Sequence, residues 1–188
     1  MFVDSHCHLD RLDLAPYAGS LEAAITAARL RGVEQMLCIG IDMQNAQTVV
    51  DIANRFEGVN ASVGVHPMDV ADKLVDIKVL RELALQPKVV AIGETGLDYY
   101  YSQDSAELQK ESFKLHLELS AQLRKPVIVH TREAREDTIE LIKSHGDSSV
   151  GGVLHCFTET WEMAKQALEL NYYISFSGIV TFKNADAL

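Results

Sequence analysis

His6 and His8 stand two residues apart, directly after a short apolar run at the start of the 188-residue chain. Alternate side chains of a β-strand share a face, so the two imidazoles would project together, about 6.5 Å apart. Imidazoles at that spacing can chelate one divalent metal ion, although structural hydrogen bonding is the plainer alternative. Asp4 shares their face and would either orient an imidazole or serve as a structural acid. Cys7 points to the other face and is expected in the core.

Four later apolar runs each stop at a polar residue of the same chemistry. These residues are His66, Glu94, His130 and His155, at intervals of 28, 36 and 25 residues. Each interval is about the length of one βα unit, so we expect the four at equivalent positions in successive units. In parallel β/α folds the carboxyl ends of the strands gather ligands and catalytic groups. The pattern therefore predicts one metal site at that edge of the sheet.

The residue types predict two ions rather than one. Glu94 is the only carboxylate among these strand ends, so we expect it to bridge the ions and to be the central catalytic residue. One site would take His6, His8 and Glu94, and the other Glu94, His130 and His155. Imidazoles suit Zn or Mn and carboxylates extend the choice to Mg. Two ions about 3.5–4 Å apart can hold a hydroxide and stabilise charge on a phosphoryl oxygen, but neither set contains an obvious general base.

Other side chains are candidates for binding substrate. Arg132 could fork onto phosphate oxygens or be a solvated arginine at a helix start. His66 belongs to neither ligand set and is predicted to contact the scissile phosphate or to support the ligands. Asp98 would cap its loop or orient a ligand. Tyr99–Tyr101 could stack on bases, although tyrosines in such a loop more often pack against barrel helices.

The rest of the chain reads as a single domain, residues 1–188, in which apolar runs alternate with amphipathic segments. This alternation predicts a parallel sheet of repeated βα units, a TIM-type (β/α)₈ barrel of which about seven units are present. The predicted helices include two histidines without chemistry, His116 and His145, and a capping box at Asp104…Glu107. The predicted strands are Met1–Asp4, Gln35–Gly40, Asn60–Val65, Lys88–Gly93, Pro126–Val129, Gly152–Leu154 and Tyr172–Phe176. The predicted helices are Ser20–Arg31, Met43–Arg55, Asp104–Arg124, Glu133–Ser144 and Glu159–Leu170.

Composition excludes several classes of protein. The net charge of −10 argues against a protein that coats nucleic acid by counterion release, but not against an enzyme that grips one phosphate at a time. No run approaches the length of a membrane span, and the N-terminus lacks the features of a signal peptide. Three widely spaced cysteines fit buried thiols in a reducing compartment. We expect a cytoplasmic enzyme with no membrane association and no obligate protein partner.

Five ordered motifs resemble the TatD family of metal-dependent deoxyribonucleases. They are Asp-Ser-His-Cys-His-Leu at the start, Val-Gly-Val-His-Pro around His66, Gly-Glu-Thr-Gly-Leu-Asp around Glu94, Val-His-Thr-Arg around His130 and Leu-His-Cys-Phe-Thr around His155. Ser-Phe-Ser-Gly at 175–178 resembles the family's following strand. The resemblance implies an amidohydrolase-type TIM barrel, a divalent-metal requirement and hydrolysis of DNA phosphodiesters, often from the 3′ end. It also implies that the metal ligands are His6, His8, Glu94, His130 and His155.

One part of the family pattern is missing. The family continues with a last strand ending Glu-Thr-Asp, whose aspartate is a metal ligand and general base, and which is expected beyond Leu188. A chain without it is expected to have a weakened first metal site and little catalysis. Two alternatives therefore stay open. One is a metal hydrolase of the same barrel class that acts on a small amide, lactone or phosphotriester; the other is an inactive fragment or binding module.

Overall fold

Seven parallel strands form one sheet in chain order from β1 to β7. The computed structural model describes residues 1–70 and 74–185. The sheet curls into a partial barrel, which confirms the predicted fold class. The strands are β1 (Phe2–Cys7), β2 (Val33–Cys38), β3 (Val59–Val63), β4 (Val89–Asp98), β5 (Val127–Arg132), β6 (Gly152–Leu154) and β7 (Tyr172–Ile174).

Helices connect successive strands, as a parallel sheet requires. The helices within the described residues are α1 (Leu21–Leu30), α2 (Ala46–Arg55), α3 (Ile77–Ala84), α4 (Ala106–Leu123), α5 (Arg135–His145) and α6 (Trp161–Glu169). Side-chain caps begin three of them: Ser20, Asp76 and Thr160 each accept a hydrogen bond from an amide of the first turn, which satisfies one of the donors that a helix start leaves free. None of these helices is long and apolar enough to cross a membrane.

Two apolar layers hold the helices on the outer face of the sheet. One lies under α1 to α3 and includes Val49, Val63 and Leu80. The other lies under α4 to α6 and includes Phe113 and Leu154. A much smaller cluster of Ile39, Ala91 and Ile128 is separate from both layers. The strand order places the candidate site residues beside one another in chain order along one edge of the sheet.

All seven predicted strands are present, but two boundaries change the position of site residues. β4 runs on to Asp98 and β5 to Arg132, so Glu94 and His130 lie inside strands rather than at their ends. Gly96 lets β4 continue: its φ is +139°, and a Cβ there would lie 2.0 Å from the carbonyl oxygen of His130. Only glycine tolerates both that backbone region and that approach. This contact brings β4 and β5 close beside the candidate site.

One helix was not predicted, and one local prediction is wrong. Helix α3 has a clear apolar face, but it is only eight residues long, and the predicted helices do not include it. The capping box at Asp104…Glu107 does not form. Asp104 instead lies in a short 3₁₀ helix, Gln103–Ser105, and α4 begins after Ser105 without a side-chain cap. The 3₁₀ turn satisfies local backbone groups in its place.

Candidate metal centre

Glu94 is the centre of the site. Only 5% of its surface is exposed, yet its carboxylate faces three imidazoles. Oε2 lies 3.2 Å from Nε2 of His6, and Oε1 lies 3.5 Å from Nδ1 of His130 and 3.8 Å from Nε2 of His66. Burial by itself would raise the pKa of Glu94, but the hydrogen bonds from His130 and His6 hold that pKa well below its ordinary value. The buried side chain is therefore a carboxylate.

Potential ligand atoms form two clusters that share Glu94. One contains His6, Glu94 and His155, and the other His66, Glu94 and His130; within each, the ligand atoms lie within 4.8 Å of one another. The shared carboxylate agrees with the predicted bridge. The partition of the histidines differs, because β6 places His155 beside His6 rather than beside His130, and His8 belongs to neither cluster.

His6 and His155 come from strands that are far apart in the sheet. Their rings are stacked, with centroids 3.4 Å apart and planes 3° from parallel. The backbone amide of His155 donates to the carbonyl of Val129, which ties the end of β6 to β5. Burial, together with the neighbouring His6, lowers the pKa of His155 to about 4. This imidazole is therefore neutral near pH 7, the form that binds metal.

His8 lies beside this pair. Its ring centroid is 5.3 Å from that of His6, so the two histidines do project together although β1 ends at Cys7. The Nδ1 atom of His8 is buried and has no hydrogen-bond partner among the described residues. Asp4, in contrast, orients no imidazole; its carboxylate accepts the backbone amide of His6. A buried, unsatisfied imidazole nitrogen next to a carboxylate-centred histidine cluster fits a metal ion.

His130 has carboxylates at both ring nitrogens. Nδ1 faces Glu94, while Nε2 lies 2.9 Å from Oδ2 of the fully buried Asp98. Burial opposes protonation, but Glu94 and Asp98 outweigh it and raise the pKa of His130. A metal ion that displaced the Nδ1 proton would leave the Nε2–H···Asp98 bond intact. This carboxylate–imidazole arrangement orients metal ligands and raises their basicity.

His66 has the opposite arrangement. It lies three residues beyond the end of β3, where its Nδ1 accepts the amide of Met68 at 3.2 Å and caps the 3₁₀ helix Pro67–Asp69. Burial, reinforced by His130, lowers the pKa of His66 to about 4, so the ring is neutral. A neutral imidazole whose Nδ1 accepts carries its proton on Nε2. The Nε2 atom of His66 therefore presents a hydrogen-bond donor toward the centre of the site.

Two buried side chains on α4 support the site and were missed by sequence reasoning. Gln109 accepts the amide of Asp98 and donates to the carbonyls of Asp98 and Ser102. His116 accepts the amide of Val65 through Nε2, while its Nδ1 meets the carbonyl of Ser112. Both are fully buried. Their position on the inward face of a long amphipathic helix was the available signal, since buried polar groups there need partners. His145 instead ends α5, where its Nδ1 lies 3.1 Å from Oε1 of Glu118.

A cavity of about 750 Å³ opens above these residues, and both clusters line it together with His8 and Arg132. The guanidinium of Arg132 lies over the rings of Tyr100 and Tyr101, 4.5 Å and 5.6 Å from their centroids. Tyr99 turns away from them, since its hydroxyl donates to Asp137 and its ring packs against the core. The tyrosine run is thus split, with one residue packed and two presented outward.

The chain is similar to a known protein family and to several known proteins. The family model described as TatD related DNase matches residues 3–188. The chain belongs to the TatD-related DNase family. It is 45% identical to the uncharacterized metal-dependent hydrolase YcfH of Escherichia coli K12 over 186 residues, which cover 99% of this chain and 70% of YcfH. It is 37% identical to the uncharacterized metal-dependent hydrolase YabD of Bacillus subtilis, covering 98% of this chain and 72% of YabD.

A solved TatD homologue shares the fold. The crystal structure of YjjV from Escherichia coli K12 superposes on 98% of this chain with a TM-score of 0.86 and 29% sequence identity, and the match covers 71% of YjjV. This likeness confirms the TatD type of barrel. The chain is accordingly a TatD-family metal-dependent hydrolase with two histidine clusters that share Glu94.

Proposed function

We propose that this TatD-family hydrolase cleaves phosphodiester bonds of DNA, as an exonuclease, with two divalent metal ions. The observation that carries the proposal is the ionised, buried Glu94, which His6 and His155 approach in one cluster and His130 in the other, all in one cavity. Imidazoles around a shared carboxylate are a ligand set for paired Zn or Mn ions, and the carboxylate also admits Mg. The family name supports DNA as the substrate.

In this proposal the ligands are His6, His8, Glu94, His130 and His155. Bound divalent ions would lower the pKa of a water molecule and stabilise negative charge on phosphoryl oxygens. The neutral form of His155 and the unpartnered Nδ1 of His8 supply lone pairs for this purpose. The general base is proposed to be the aspartate that the family resemblance expects beyond Leu188.

His66 and Arg132 are proposed to hold the substrate. The Nε2–H of His66 can donate to a non-bridging phosphate oxygen, because the cap contact to Met68 fixes the ring's proton on that nitrogen. Arg132 lies at the wall of the same cavity and forms no ion pair with any of residues 1–70 or 74–185. Its guanidinium is therefore available to a phosphate, which it can contact through two N–H groups.

A paired assay tests the proposal. The chain, with and without the family's last strand and its aspartate, is freed of metal and loaded with Mn²⁺, Zn²⁺ or Mg²⁺. It is then given end-labelled deoxyoligonucleotides and, separately, a lactone and a phosphotriester. With that aspartate present, we expect DNA to shorten from one end in a manner that a chelator abolishes and that Glu94→Gln loses. Turnover of the small substrates without DNA cleavage would indicate the other class of barrel hydrolase. Metal binding without turnover of any substrate would indicate an inactive fragment.

The proposed setting is the cytoplasm, with no membrane association and no obligate protein partner. Cys7, Cys38 and Cys156 are unpaired, which supports a reducing compartment. Burial raises the pKa of Cys38 to about 11, so this cysteine is an inert core thiol near neutral pH.

A further inference from the structure

Tyr100 and Tyr101 form an exposed aromatic pair beside Arg132, a residue of the metal cavity wall. Their surfaces are 53% and 63% exposed, and their rings meet edge to face with centroids 4.6 Å apart. Arg132 lies over both rings and also lines the cavity. We name Tyr100, Tyr101 and Arg132 the rim platform. It combines flat apolar faces with a cation, and Arg132 stands two residues after the candidate metal ligand His130 on β5.

The rim platform is held at a fixed distance from the metal centre. Asp98 accepts the backbone amide of Tyr101 through one carboxylate oxygen and binds His130 through the other. Gln109 fixes the same loop at Asp98 and at Ser102. The amide of Tyr99 donates to the carbonyl of Arg132, which ties the loop to β5. Because one buried carboxylate holds both His130 and the loop, the aromatic pair is preorganised relative to the metal centre.

The rings of Tyr100 and Tyr101 are exposed, in contrast to the ring of the neighbouring Tyr99. Tyr99 in the same run packs and hydrogen bonds to Asp137, so the local fold can bury a tyrosine here. Two adjacent exposed tyrosines beside a guanidinium with no carboxylate partner among the described residues instead suit a ligand that has both a π face and a negative charge. Nucleotides have both, and single strands bind proteins by stacking bases on aromatic rings while cations track the phosphates.

We propose that the rim platform stacks the base of an unpaired nucleotide next to the cleaved phosphodiester, while Arg132 contacts a neighbouring phosphate. This inference rests on the proposed DNA hydrolysis and specifies how the substrate is read: through the flat face of one base and without base-pair recognition. A substrate whose nucleotide lacks its base at that position loses the contact. Because the tyrosines adjoin the metal cavity through Arg132, they act on substrate binding and so on KM, with little effect on kcat.

An abasic scan tests the rim platform. A fluorescein-labelled single-stranded 12-mer carries one tetrahydrofuran abasic residue at each position in turn. Binding is measured by anisotropy with Ca²⁺, and cleavage with Mn²⁺. For the unmodified chain we expect one position at which the abasic residue weakens binding and raises KM roughly tenfold, the size of one stacked base. The double variant Tyr100→Ala with Tyr101→Ala should bind the intact strand as weakly as the unmodified chain binds that abasic strand. An abasic residue at the same position should not weaken its binding further, so the double variant loses the abasic penalty.

Matched variants separate stacking from general damage. Tyr100→Phe with Tyr101→Phe keeps the rings and should keep the abasic penalty. Tyr173→Ala removes a tyrosine that lies outside the rim platform and is 75% exposed. This variant should leave the abasic penalty unchanged. The rim platform is overturned if the unmodified chain cleaves DNA with no abasic-sensitive position. It is also overturned if the double alanine variant retains the abasic penalty. Either result leaves the proposed DNA hydrolysis unaffected. If the chain binds the 12-mer without cleaving it, the anisotropy measurements alone test the rim platform. A chain that neither binds nor cleaves the 12-mer overturns both proposals.

Discussion

Near the carboxyl ends of β3 and β5 the chain presents one histidine each to Glu94, and the ring centroids of His66 and His130 lie 4.4 Å apart. At the β5 end, Nε2 of His130 is hydrogen bonded to a carboxylate, so the nitrogen that faces Glu94 is the one that can lose its proton and bind a metal ion. At the β3 end, Nδ1 of His66 accepts a backbone amide, so the nitrogen that faces Glu94 keeps its proton. His66 and His130 therefore differ in role, because the ring nitrogen of each that points away from Glu94 has a different hydrogen-bond partner.

The largest expected effect concerns the β3 end. His66→Asn retains an acceptor for the Met68 amide but has no donor in the cavity, whereas His66→Gln retains a donor near the position of Nε2. We expect kcat for DNA cleavage to fall about 10²- to 10³-fold in His66→Asn, the cost of removing one positioned donor to developing negative charge. His66→Gln should lose much less, and calorimetry should find metal affinity unchanged in both.

That prediction separates two roles for the same residue. If His66→Asn lost metal affinity in parallel with kcat, His66 would be a ligand and the contrast between the two strand ends would be wrong.

A smaller effect is expected at the β5 end. In Asp98→Asn the amide NH₂ would face Nε2 of His130 and favour the tautomer with its proton on Nδ1, directed at Glu94. We expect metal affinity measured by calorimetry to fall about 10- to 100-fold, as is usual when the partner of a ligating imidazole is changed. The side-chain carbonyl of the substituted residue can still accept the Tyr101 amide, so the rim platform should keep its abasic penalty. Unchanged affinity for Mn²⁺ and Zn²⁺ would mean that Asp98 does not prepare His130 as a ligand.

The smallest expected effect is on folding stability, through the residue that supports the β3 end. Burial lowers the pKa of His116 from 6.5 to about 4, so the unfolded chain binds a proton more readily than the folded chain. The contribution of the neutral ring is complete above pH 6.5 and is lost as the pH falls toward 4. At pH 5 the resulting loss of unfolding free energy is about 2 kcal/mol relative to pH 7.

Urea unfolding of the metal-free chain at pH 7 and pH 5 measures this loss. His116→Gln keeps an acceptor for the Val65 amide and does not titrate, so its stability should depend less on pH by about the same amount. An equal dependence on pH in the variant would show that His116 does not carry the effect. Because His66 and His155 titrate in both proteins, the difference between them isolates His116.

Much of the fold followed from local pattern. The seven strands and five of the six described helices were predicted because buried parallel strands are short apolar runs and the helices between them have an apolar face. Helix α3 escaped recognition because its pattern covers only eight residues. The predicted capping box at Asp104 does not form because a 3₁₀ helix precedes α4. A sequence motif does not show whether a helix begins at the motif or a few residues later.

The site was predicted less completely. Its residues were found because polar side chains with ligand chemistry follow apolar runs at βα intervals, and the structure brings all of them to one cavity. Their assignment as metal ligands and substrate contacts stays a prediction, as does the single domain 1–188. Gln109 was not predicted, although it lies on the inward face of α4, because its hydrogen bonds to Asp98 and Ser102 depend on the conformation of the loop after β4.

The sequence by itself determined the parallel sheet, the residue types of the site and membership of the TatD family, because strand periodicity, ligand chemistry and motif order are written along the chain. Only the tertiary structure decided which imidazole meets which oxygen. That outcome depends on strand register and curl, which place His155 beside His6, and on the far-side partners Asp98 and Met68, which fix the proton positions of His130 and His66. Those contacts join distant elements or depend on the detailed conformation of a turn, and residue types alone do not specify them.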